Sequence, residues 1–215
     1  MNMLEMTGWA AGLGFLAGIR LYATVLALGV AIRMGWITLR PEFQHLDVLA
    51  NGWVMAAAGV VFAIEFLADK IPWIDTLWDA VHTFIRPVAA GVIAVAALGE
   101  LSPGTQTLLG LLTGGVALTS HSAKAATRWA VNHSPEPFSN IGLRLAGDLL
   151  VPAGVWFVTQ HPVLALGIVA VFLAAFTIVA RKVFRAVRSL LRSAVSGGGE
   201  RGEKPRSAYS PSAAR

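Results

Sequence analysis

The candidates for chemistry in this sequence are ionisable residues set inside apolar stretches. Arg20 lies in the middle of one such stretch, between Gly18 and Tyr22. Glu65 and Asp69 are four residues apart, which puts both carboxylates on one face of a helix. Arg144 and Asp148 share that spacing, and His121, Lys124 and Arg128 follow one face of a later helix. A charge inside a membrane span costs about 2.5–3.5 kcal/mol on insertion scales, so each needs a reason. Two reasons are open. Either the charges line a polar pathway or ligand site, or they neutralise one another across helices, Arg20 with Glu65 and Arg144 with Asp148. The candidate pathway set is Arg20, Glu65, Asp69, Asp79, His82, His121, Lys124 and Asp148. Lys70 and Arg86 fall near predicted helix ends and read as topology anchors that snorkel.

Other chemistries are weaker. Glu65, Asp69, Asp75, Asp79 and His82 are ligand types that suit Mn, Fe or Zn, but no tight metal motif joins them, and the alternative reading has Asp75 and Asp79 facing cytoplasmic water. Asp75, Asp79, His82 and Arg86 could act on a phosphate-bearing lipid headgroup, yet no nucleophile–base motif accompanies them. His121 is either a proton relay or an interhelical hydrogen-bond partner. The chain has no cysteine, so disulfides, thiolate metal sites and cysteine nucleophiles are excluded. No cofactor is expected, and the chain is read as a non-enzyme.

The elements that must hold these residues are membrane helices. Of 215 residues, 55% are hydrophobic and 13% charged, whereas soluble domains carry about 25% charge. A spanning helix needs about 20 apolar residues. Six such segments are expected: Leu4–Trp36, Leu49–Asp69, Val88–Leu98, Thr105–Arg128, Ile141–Thr159 and Pro162–Phe184. The third is short and should borrow residues before Pro87. The sixth can continue as a surface helix to Leu191. Between the second and third, Pro72–Pro87 has Ile74, Leu77, Trp78, Val81, Phe84 and Ile85 on one face and Asp75, Asp79 and His82 on the other. That pattern is an amphipathic helix, either lying in the interface or re-entrant. Gly14, Gly18, Gly114 and Gly115 are expected to allow close helix packing. Trp73, Trp78, Trp129 and Trp156 are expected interface anchors. Ser139 or Asn140 could cap the fifth helix.

The charge is unevenly placed. From Arg181 to Arg215 nine basic residues face only Glu200 and Glu203, a net +7, which leaves residues 1–180 at −2. The basic character therefore belongs to the tail, and no nucleic-acid partner is implied. A basic segment after an apolar span marks a cytoplasmic end and can touch anionic lipid. Lys and Arg counts in the connections place both termini in the cytoplasm. Glu5 and the lack of a basic n-region argue against a cleaved signal peptide. Residues 1–192 are expected to form the membrane domain, and residues 193–215 a disordered tail.

The two halves, about residues 4–100 and 104–192, look alike. Gly14–Thr24 can be laid on Gly110–Ser120, Leu67–Asp69 with Pro72 on Leu145–Asp148 with Pro152, and Arg86–Val95 on His161–Val171. Three helices per half would give two inverted repeats, a plan common among transporters. The plain alternative is chance matching of Gly, Ala, Val and Leu.

Three segments carry a family resemblance: AGIRLY (Ala17–Tyr22), EFLADKIPWIDTLWDAVHTFIRP (Glu65–Pro87) and SHSAKAATRWAVNHSPEPFSN (Ser120–Asn140). They resemble bacterial integral membrane proteins grouped as domain of unknown function 4126, over about residues 5–185. The resemblance implies a bacterial inner-membrane location but no activity. The three-plus-three plan is also similar in architecture to the lysine-exporter and cation-exporter superfamily, although the Glu-x-Gly-Asp-Lys pattern of its cation exchangers is absent. The expected function is a small transporter or channel for an ion or polar solute, in a lipid bilayer and open to homo-oligomerisation. A non-transporting accessory protein and a lipid-headgroup enzyme are the alternatives.

Overall fold

A computed structural model describes residues 2–69, 71–99, 101–132 and 137–197. The expectations for Lys70, for the side chains of Trp129, Ser139, Asn140, Arg144 and Asp148, and for the tail past Gly197 lie outside the described residues. Within them all regular structure is helical: α1 Met3–Arg33, a 3-10 segment Pro41–Ala50, α2 Gly52–Ala68, α3 Pro72–Ala97, α4 Pro103–Asn132, α5 Pro137–Gln160 and α6 Pro162–Gly197. Five of these elements start on proline, whose fixed φ and missing N–H suit the first helical position. The chain divides into two units, Met1–Ala174 and Ala175–Arg215.

Three helices are long and apolar enough to cross a membrane: α1, α3 over Trp73–Ala97, and α6 over Pro162–Arg192. The 3-10 segment and α2 pass together but are bent by 68°, so they form a broken span or a re-entrant loop. In α5 the apolar stretch among the described residues is Leu149–Gln160. At 30 residues α4 is about 45 Å long, enough to span, but it is more polar. These helices are compatible with a membrane protein.

The central element of the first unit is α1. Asn2 and Glu5 close its N-terminus with a reciprocal capping box. Its small residues let it pack against α2, α3, α4, α5 and the 3-10 segment. Trp9 is buried and stacks on Phe43 of the 3-10 segment at 4.6 Å. The helix breaks at Arg20, whose backbone is extended (φ −149°, ψ 91°).

Two elements depart from the expected layout. The connection before α2 contains a 3-10 segment whose buried Phe43, Leu46 and Leu49 recur every third residue and all face inward. The Pro72–Pro87 stretch is no separate surface helix, because α3 runs through Pro87 without interruption. Its apolar face is outward, with Trp73 88% and Phe84 76% exposed, while Asp75, His82 and Arg86 are buried. In hydrocarbon the polar face must turn to protein, so the pattern reads inside out relative to a soluble amphipathic helix.

The layout does not confirm the inverted repeat. Arg86–Pro87 lie inside α3, whereas His161–Pro162 begin α6. Pro72 begins α3, whereas Pro152 lies inside α5. The remaining pair, Gly14–Thr24 and Gly110–Ser120, does lie inside two long helices, α1 and α4.

Candidate functional site

The site is assembled where four helices meet the break in α1. The break leaves the carbonyls at the end of the first half-helix without their usual helical donors, at the negative end of a helix dipole. Cationic side chains fill that position. Arg86 Nη1 donates to the carbonyls of Gly18 (3.0 Å) and Ile19 (3.2 Å), and Lys124 Nζ donates to Ile19 (2.8 Å). Ser120 Oγ donates to the Phe15 carbonyl at 2.9 Å. Gly18 permits this approach, since a Cβ there would collide with Ser120 Oγ and the Ala117 carbonyl.

Helical spacing delivers the rest. On α3, Asp75, Asp79, His82 and Arg86 form one stripe at intervals of four, three and four. Glu65 and Asp69 come from the end of α2, and His121, Lys124 and Arg128 from one face of α4. Glu65 is fully buried and draws three cations to one oxygen. Its Oε1 accepts from Arg86 Nη2 at 2.7 Å and lies 3.6 Å from both Arg20 Nη1 and Lys124 Nζ. Asp69 Oδ2 is 2.9 Å from Arg20 Nη2 and 2.7 Å from Arg128 Nη2. Arg128 Nη1 also pairs with Asp75, and lies 3.4 Å from Asp79 Oδ2. Four cations thus meet four carboxylates. The expected Arg20–Glu65 pair is present, with Asp69 the closer partner of Arg20.

The two imidazoles have assigned roles. His121 Nδ1 lies 2.7 Å from Arg86 Nη1, a pure donor, so Nδ1 must be the acceptor. Its Nε2–H then donates to the Asp79 carbonyl and Thr83 Oγ1, each at 3.1 Å. His82 carries the opposite tautomer. Its Nδ1–H donates to the Trp78 carbonyl at 2.8 Å, and in the neutral ring Nε2 accepts from Tyr22 OH at 3.2 Å. The His82 ring also stacks on Trp78 at 4.5 Å.

Beside this network lies a cavity of about 40 Å³, walled by α1, the 3-10 segment, α3 and α4. Ala17 and Leu21, which flank Arg20, belong to its wall, as do Phe43, Leu46 and Leu49. Its hydroxyls are turned away, since Thr24 donates to the Arg20 carbonyl and Thr113 to the Leu109 carbonyl. The cavity is therefore apolar.

Of the expected site residues, Arg20, Glu65, Asp69, Asp79, His82, His121 and Lys124 come together here. Arg86 is not a snorkelling anchor: it is 0% exposed and touches three helices. Asp75 does not face water either, being buried against Arg128. Arg128, Asp75, Arg86 and Tyr22 were missing from the candidate set. The α3 stripe and the continued α4 face were the signals that could have supplied the first three. Gly14 and Gly114 sit at close crossings, where a Cβ would come 2.7 Å from the Thr113 carbonyl and 2.8 Å from the Pro87 carbonyl. Gly115 does not serve packing, because a Cβ there meets nothing within 4 Å. No group of three or more metal-ligand residues is positioned to hold an ion among the described residues.

A membrane helix bundle organised around a buried, charge-balanced network is the class these observations define. The family described as Domain of unknown function (DUF4126) matches residues 8–182, and the chain belongs to that family. No curated protein and no solved structure shows a significant match to the chain.

Proposed function

We propose that the protein is a small multi-pass transporter or channel for an ion or polar solute, described here in a closed state. The reading has six crossings, with both termini in the cytoplasm. One observation carries it: α1 breaks inside the bundle at Arg20 and turns its Gly18 and Ile19 carbonyls onto cationic side chains, beside a cavity. Non-helical backbone at membrane depth is tolerated where it is buried in protein or lines a cavity, and transporters build substrate and ion sites at such breaks. In this state Arg86 and Lys124 occupy the place a cationic substrate or coupling ion would take. Opening requires them to let go. Polar atoms left over at the network support a wet open state, since Glu65 Oε2, Asp79 Oδ1 and Arg86 Nε are buried without a hydrogen-bond partner among the described residues.

A second reading has its own observation. Equal numbers of cations and carboxylates, paired with one another beside a cavity that none of them lines, suit an accessory protein whose charges only join helices. The lipid-enzyme alternative draws no support, because Asp75 and His82 are buried and Asp79 is held by Arg128. Flux assays on purified protein in liposomes separate the first two. A panel of small cations, anions and neutral polar solutes is tested with the unaltered chain and with Lys124→Gln, which removes one latch contact. The transport reading expects flux of at least one solute above empty liposomes, altered in Lys124→Gln. If neither protein moves any solute, the accessory reading stands.

A further inference from the structure

We infer that the Arg181–Arg192 stretch of α6 is an interfacial segment whose partner is the anionic lipid surface of the bilayer. This inference rests on the membrane reading and not on transport. The α6 helix runs for 36 residues. From Pro162 to Ala180 it carries no charge, and those 19 residues match the about 20 that the hydrocarbon requires. The first charge, Arg181, therefore falls where the hydrocarbon ends.

The helix changes character at that point. Arg181, Arg185, Arg188 and Arg192 recur at four, three and four and share one face, with Lys182 beside them. Val183, Phe184, Val187, Leu190 and Leu191 occupy the other face, and all five are exposed. A helix carried straight into water would leave that apolar stripe uncovered. Laid in the plane of the interface, it buries the stripe in the acyl boundary and presents the arginines to headgroups.

The charge decides which partner covers it. The stretch Ala175–Gly197 holds five basic residues and no acidic one. Two such helices paired through their stripes would bring like charges together, with no acidic flank of the kind that sets partner choice in coiled coils. An anionic leaflet offers the complementary charge, and basic residues next to a span respond to it.

The absence of native cysteine makes a depth measurement direct. Val187→Cys is spin-labelled and the full chain is placed in nanodiscs, either of phosphatidylcholine alone or of phosphatidylcholine mixed with phosphatidylglycerol. The expected result is a label reached by oxygen and shielded from a water-soluble nickel chelate in the mixed bilayer, and the reverse in phosphatidylcholine. Arg181→Gln, Arg185→Gln and Arg188→Gln together should erase that contrast, with about a fivefold loss of preference for each charge removed. Equal accessibility in the two bilayers overturns the assignment. So does spin–spin broadening that disappears on dilution with unlabelled chain, which would make a second copy the partner. Since the readout involves no solute, it stands or falls separately from transport.

Discussion

Glu65 is the residue on which the network turns. One carboxylate oxygen serves Arg86, Arg20 and Lys124, and the side chain has no access to solvent. Glu65→Gln keeps the shape and removes the charge, leaving cations buried without compensation. The expected loss is about 3–5 kcal/mol of stability, the usual cost of breaking a buried pair from one side. Denaturant unfolding in detergent checks it, and Glu65→Gln with Arg86→Gln should cost less than the two single losses combined. A change under about 1 kcal/mol would mean that Glu65 is solvated and that the pairing carries no weight. At this scale the sequence was partly legible. Charges in apolar runs drew attention to Arg20, Glu65 and Asp69, and the Arg20–Glu65 pair followed from their opposite signs. Arg86 was misread because an arginine next to proline near a predicted helix end looks like an anchor. The apolar run Val88–Leu98 shows that a helix follows Arg86, but not that one helix passes through Pro87 and makes position 86 its interior.

The elements show why that error arose. Proline begins helices at positions 41, 72, 103, 137 and 162, and the apolar run Val88–Leu98 invites the same reading at position 87, although that run is too short to span without residues before Pro87. Membrane helices tolerate an internal proline because neighbouring groups can satisfy the freed backbone, so the same residue has two meanings. The α3 pattern had a similar ambiguity. A helix with one polar and one apolar face has the same sequence on a membrane surface and in a bundle with a charged interior. Partners on other helices decide between the two, and no local window contains them. The 3-10 segment was legible only at a period of three, which a search for periods of two or 3.6 passes over. Packing between α3 and α4 offers a test at this scale. Gly114→Ala should destabilise the protein, because the added methyl meets the Pro87 carbonyl. Gly115→Ala has free space and should be neutral or stabilising by up to about 1 kcal/mol, the helical preference for alanine. Thermal unfolding of both variants measures the contrast, and equal destabilisation would show that the crossing is not where these contacts put it.

For the whole molecule, composition alone identified an all-helical membrane protein, and the family match agrees with the resemblance of its longest motifs. The repeat was the least legible feature, since segments drawn from a small apolar alphabet resemble one another whether or not they share a structure. Orientation follows from charge placement and can be measured on the same cysteine-free background. A cysteine introduced at Asn2 and one at Ser207 should both be labelled by an impermeant maleimide only after the cytoplasmic side is exposed. Labelling of either from the outside would reverse the topology.

The pairing of charges also sets an order of events during synthesis. The carboxylates all arise from α2 and α3, while two of the four cations that balance them, Lys124 and Arg128, arrive only with α4. Until α4 is made, the described groups of the network hold two more negative charges than positive ones, each carrying an insertion penalty of about 2.5–3.5 kcal/mol at membrane depth. The first three helices therefore have reason to stay at the insertion machinery instead of dispersing into lipid. A chain cut short before Lys124 would be recognisable to quality control by its uncompensated carboxylates.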